Sequence, residues 1–138
     1  MARLISGILL IAAALGGCGE ASVDCTAVGC GSGVTVWGIP AIEAEADDVT
    51  RIEVCADTVC ETTRYGGPIG DNASVAAALP KTDSVELTVT IRDPAGKVVA
   101  TGRVRTGVDV LHPNGPDCPP ECRHAIVAFE SGRLTARS

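Results

Sequence analysis

Aromatic side chains are almost missing from this chain: Trp37, Tyr65 and Phe129 are the whole supply in 138 residues. Stacking on bases or sugar rings needs aromatic platforms, so the composition argues against a nucleic-acid or typical carbohydrate-binding face. Basic charge is scarce too. Lys and Arg total 11 against 17 Asp and Glu, a formal net charge of −6, and the balance is more negative still without Arg3. Such a surface repels phosphate backbones and anionic lipid alike, so partners held by charge in that way are excluded. Only two histidines occur, His112 and His124, and neither lies in a nucleophile motif. "CGSGV" lacks the strand-turn-helix setting of a hydrolase elbow. With no acid–base constellation in view, the sequence points away from an enzyme and implies no cofactor. Nor is there a long apolar run: "LISGILLIAAAL", Leu4 to Leu15, is well short of the roughly 20 residues that a membrane-spanning helix needs.

That short run carries a different meaning. Met1-Ala2-Arg3 supplies a minimal basic start, the apolar stretch follows, and small residues close it, which is the layout of a secretory signal. The closing residues, Leu15-Gly16-Gly17-Cys18, resemble the lipobox of bacterial lipoproteins: Leu, two small residues, then Cys. The resemblance implies that the Cys18 sulfur receives a diacylglycerol, that the signal is cut just before it, and that palmitate-class acyl chains hold the protein to a membrane at the cell envelope, outside the cytoplasm. It covers the first 18 residues and implies three parts: a signal at 1–17, a lipidated tether at 18–32 and a folded domain at 33–138.

The cysteine count agrees with export. Seven cysteines is an odd number; with Cys18 set aside for lipid, Cys25, Cys30, Cys55, Cys60, Cys118 and Cys122 remain, and six in an oxidising compartment read as three disulfides. Cys55 and Cys60 flank a two-residue turn at Asp57-Thr58, which sets them opposite one another across a hairpin and makes them a pair. For the other four, either Cys25–Cys30 and Cys118–Cys122 close on themselves, or two bridges cross between the doublets and tie the ends of the domain together. A sharper alternative is metal: "CPPECRH" brings Cys118, Cys122 and His124 together, and thiolates from Cys25 and Cys30 would complete a tetrahedral site. Oxidation of thiols outside the cytosol favours the bridges, so no metal ligand is assigned.

Strand patterns run along the rest of the chain. In "SVELTVTIRD" Val85, Leu87, Val89 and Ile91 alternate with polar residues, the mark of a half-buried strand. "DPAGK" supplies a turn, and "VVATGRVRT" returns with Val98, Ala100, Gly102 and Val104 expected inward. "VTRIEVCADTVCETT" reads as a second hairpin, with Ile52, Val54 and Ala56 inward. Further strands are expected at "GVTVWGI", "SVAAAL" and "HAIVAF", although three alanines in the second also favour helix. "IEAEADD" is a short helical turn or an acidic loop, and lacks the spacing of a calcium loop. With so few aromatics the core is aliphatic and modest, and disulfides make up part of the stability. The expected fold is all-β, an antiparallel two-sheet β-sandwich stabilised by disulfides. "VELTVTIRDPAGKVVATGRV" is similar to repeats in bacterial immunoglobulin-like and fibronectin-type modules, which implies an immunoglobulin-like sandwich and no functional residue.

Two functional readings follow. The first is a lipid-anchored envelope module that binds protein or peptide, or serves a structural role, through loops or a sheet edge. The second is a small envelope enzyme or metal handler using Cys118, Cys122 and His124, with His112 a further candidate. The loop "GVDVLHPNGPDCPPEC", rigid with proline, is the most distinctive surface segment. Asn72-Ala73-Ser74 matches a glycosylation acceptor, which is accidental if the producer is bacterial.

Overall fold

A computed structural model describes residues 25–138. The signal segment, Cys18 and its neighbours up to Asp24 lie outside the described residues. Among the described residues nine strands account for the regular structure: β1 Gly33–Trp37, β2 Val49–Ala56, β3 Val59–Gly66, β4 Asn72–Ala76, β5 Ser84–Arg92, β6 Val98–Gly107, β7 Asp109–Leu111, β8 Cys122–Glu130 and β9 Arg133–Arg137. They form two sheets, one ordered β4-β1-β8-β7 with β9 also on β8, the other β3-β2-β5-β6. Strands β7 and β9 lie end to end along one edge of β8, facing Cys122–His124 and Ile126–Glu130 respectively.

The sheets face one another across a single aliphatic core, so the fold is an all-β two-sheet sandwich. One sheet contributes Val34, Val36, Val75, Ala125, Val127, Phe129 and Leu134. The other contributes Ile52, Val54, Val85, Leu87, Val89 and Ile91, all at most 1% exposed. These inward sets are the period-two residues of each strand, and burying them is the main drive to fold.

Local chemistry fixes the hairpins. Between β2 and β3, Asp57 takes φ +52°, a conformation that Asp tolerates better than most residues, and Ala56 faces Val59 across the two-residue turn. Between β5 and β6, Gly96 at φ +84° allows the chain to reverse, and Asp93 closes the turn from its backbone and from its carboxylate, which accepts from the Lys97 amide at 2.8 Å.

Two expectations are adjusted by the structure and one open alternative is decided. Pairing is antiparallel throughout except between β1 and β8, which run parallel from Gly33 beside His124 to Trp37 beside Ala128. A bulge between Ile91 and Arg92 skips Val99, so Val98, expected inward, sits opposite Arg92 and is 39% exposed, while Val99 packs against the core. "IEAEADD" forms no helix: it is a loop with a turn in which the Asp48 carboxylate accepts from the Glu45 amide at 2.8 Å.

Candidate functional site

The long β7–β8 connection is the most elaborated part of the molecule, and its residue types explain its shape. Pro113, Pro116, Pro119 and Pro120 restrict the backbone and withdraw four amide donors, so the loop cannot extend either sheet and must be fastened by other means. Backbone bonds from Gly115 to His112 and from Cys118 to Gly115 wind it into consecutive turns.

Asn114 is its central fastener. Its side-chain oxygen accepts from the Thr26 hydroxyl at 2.5 Å and from the Val28 amide at 3.1 Å, and its amide nitrogen donates to the carbonyls of Val28 and Pro119 at 2.9 and 2.7 Å. One side chain therefore uses its full bonding capacity to join the start of the described chain to the loop. Sequence reading did not single out Asn114, because its partners are separated from it by as many as 88 positions.

Two disulfides repeat that link covalently. Cys25 pairs with Cys118 and Cys30 with Cys122, across 93 and 92 positions. Of the two arrangements open at the sequence level, the crossing one is present, and residues 25–32 are thereby fastened to the sandwich. The part of the expected 18–32 tether that is described, from Cys25 onward, is therefore held against the domain. Cys118 and Cys122 are buried at 4% and 2% exposure, so each bridge has one sulfur-bearing residue inside the fold. Arg123 completes the end of the domain: its amide donates to Ser32 Oγ at 3.0 Å, and its guanidinium pairs with Glu121 at 2.8 Å and reaches the Pro80 carbonyl at 3.3 Å.

The third bridge joins Cys55 and Cys60, directly opposite in the β2–β3 register with 3.9 Å between their Cα atoms. It lies at the other kind of place, on the outer face of a sheet and beside its edge strand.

The remaining candidates are scattered. His112 is exposed in the loop and His124 is half-buried on β8, where it lines a shallow groove of about 290 Å³ with Ser32, Thr35, Ser74 and Ala76. The sequence grouping of Cys118, Cys122 and His124 as metal ligands is not assembled, since both sulfurs are bonded to other cysteines. Among the described residues no three His, Cys, Asp or Glu side chains are grouped to hold a metal ion. Asn72 sits at the start of β4 and its amide donates to Asp71 at 3.0 Å. Comparison with known protein families, with curated proteins and with solved structures finds no match to this chain.

Proposed function

We propose that the chain is a lipid-anchored cell-envelope module, held to a membrane through Cys18, whose disulfide-stapled sandwich serves as a binding or structural body. The observation that carries this reading is the use of the cysteines. Three bridges consume Cys25, Cys30, Cys55, Cys60, Cys118 and Cys122, which leaves Cys18, the lipobox residue, with no partner cysteine in a chain of seven. Disulfides of this density belong to an oxidising compartment. Two acyl chains on one residue suffice for stable anchoring, so an acidic body needs no charge attraction to the membrane.

The β3 edge, the β4 edge and the proline-rich loop are the surfaces such a module offers to a protein or peptide partner. The similarity of residues 85–104 to repeats in bacterial immunoglobulin-like and fibronectin-type modules bears on the sandwich alone and names no functional residue. The test is expression in a bacterium followed by fractionation. Wild-type protein is expected in the membrane and detergent phases, with lipid mass on a chain starting at Cys18. Cys18→Ser is expected to be uncut at that site, or soluble after cleavage elsewhere. Soluble, unlipidated wild-type protein with another N-terminus overturns the proposal.

A further inference from the structure

The three disulfides occupy different physical settings, and the difference divides them by reactivity. A thiolate opens a disulfide by attacking one sulfur and expelling the other, so both access to the attacked sulfur and the cost of releasing the leaving thiolate matter. In the Cys25–Cys118 and Cys30–Cys122 bridges the leaving partner is Cys118 or Cys122, each at most 4% exposed. Expelling a thiolate into a buried position is disfavoured, because burial penalises the charged form. In the third bridge neither residue is buried: Cys60 is exposed on β3, and Cys55 is half-buried on β2. No residue of β3 is buried, and within its sheet the strand is paired with β2 alone, so an attacking group can approach Cys60 from the open edge.

The hairpin also holds its shape without the bridge. Strand β2 is paired to β3 along its whole length from Val49 to Ala56 and, on its other side, to β5. The turn is pinned separately: the Asp57 amide donates to the Glu86 carbonyl at 2.9 Å, and the Asp57 carboxylate accepts from the Glu86 amide at 3.4 Å. The bridge closes only a short ring, the cysteines being five positions apart, so opening it releases little chain entropy. Two thiols left at Cys55 and Cys60 would remain opposite one another, placed to bond again.

We propose that the Cys55–Cys60 hairpin is a thiol–disulfide exchange site that takes a dithiol as its partner, the other two bridges being structural. In the exchange, one partner thiolate attacks Cys60 Sγ and Cys55 leaves as a thiolate, which takes up a proton. The second partner thiol, losing its proton, then attacks the partner's first sulfur in the mixed disulfide and expels Cys60 as a thiolate, which takes up a proton. The partner dithiol is oxidised to a disulfide and the hairpin is reduced to two thiols, with two electrons passed; the reverse sequence closes the hairpin.

Trypsin separates the bridges, since Arg51 and Arg64 enclose Cys55 and Cys60 while Arg105 and Arg123 enclose Cys118 and Cys122. The folded full chain is treated with graded dithiothreitol, quenched with iodoacetamide, digested and mapped by mass. Peptide 52–64 is expected to be alkylated at both cysteines at least about tenfold faster than 106–123. The far-UV circular dichroism of the sheets should be unchanged at that point, and oxidised glutathione should restore the bridge. Simultaneous opening of all three bridges, later opening of 52–64, or loss of the sheet signal when it opens overturns the proposal.

Discussion

Gly102 shows how tightly one position can be set by its neighbours. It lies on the inner side of β6, where an added Cβ would stand 2.6 Å from Leu134 Cβ and 3.4 Å from a Phe129 ring carbon. Leu134 is the buried residue of β9, so the missing side chain on β6 is what lets the two sheets meet along that side. Gly102→Ala is expected to destabilise the domain by about 1–3 kcal/mol through overpacking, measured by urea unfolding, despite the better strand propensity of alanine. Tyr65 performs the corresponding task on the opposite side, its hydroxyl donating to the Ser74 carbonyl and so joining β3 to β4 of the other sheet. Burial pushes the Tyr65 phenol above its ordinary pKa of 10.0, and ionisation would also remove the proton given to Ser74. A folded pKa above the unfolded one means that the folded state holds its proton longer, so this contribution to stability is present below pH 10 and is lost as pH rises through the folded value. Tyr65 is the only tyrosine, so phenolate absorbance reports it alone. The folded protein should titrate above the unfolded one, and Tyr65→Phe should remove the alkaline loss while costing about 1 kcal/mol at neutral pH.

Among the elements, β5 is the most regular, and its two faces should respond differently. Val89 is fully buried in the core while Thr88 and Thr90 are half-buried on the outer face. Val89→Ala is expected to cost about 2 kcal/mol as a cavity in an aliphatic core, and Thr88→Ala or Thr90→Ala much less, by the same unfolding measurement. Equal costs on both faces would contradict the sandwich. This strand, its return β6 and the β2–β3 hairpin were legible in the sequence because their signals are local: alternation, turn residues, and two cysteines five positions apart. The elements that sequence reading missed have weak or distant signals. β7 buries no residue, and β9 buries only Leu134, so neither carries a readable period. The bulge that turns Val98 outward is a property of the β5–β6 register, which no run of residues within β6 encodes. The parallel β1–β8 pairing joins segments about 90 positions apart, and the choice between local and crossing bridges depends on that pairing.

For the whole molecule, the start of the described chain is closed on the β7–β8 loop and the first residue of β8 by bonds of two kinds. The Cys25–Cys118 and Cys30–Cys122 bridges restrict loops of 93 and 92 positions, against five for Cys55–Cys60. In the chain-entropy account, replacing Cys25, Cys30, Cys118 and Cys122 together by serine, which releases the long loop, should cost more than about 4–5 kcal/mol, and replacing Cys55 and Cys60 together about 2 kcal/mol, compared by chemical unfolding. Comparable losses from the two sets of replacements would mean that the long bridges do not hold the start of the described chain to the domain. The same division underlies both functional proposals: six cysteines are committed to bridges, one of them exchangeable, and Cys18 alone is left for lipid. The most direct test is a thiol and bridge map of Cys18→Ser protein, exported, denatured without reduction and exposed to iodoacetamide. The account predicts no alkylated cysteine, an internally bridged 52–64, and 106–123 linked to the peptide that ends at Arg51. Alkylation at Cys25, Cys30, Cys118 or Cys122, or a 106–123 peptide released with its own internal bridge, would contradict it.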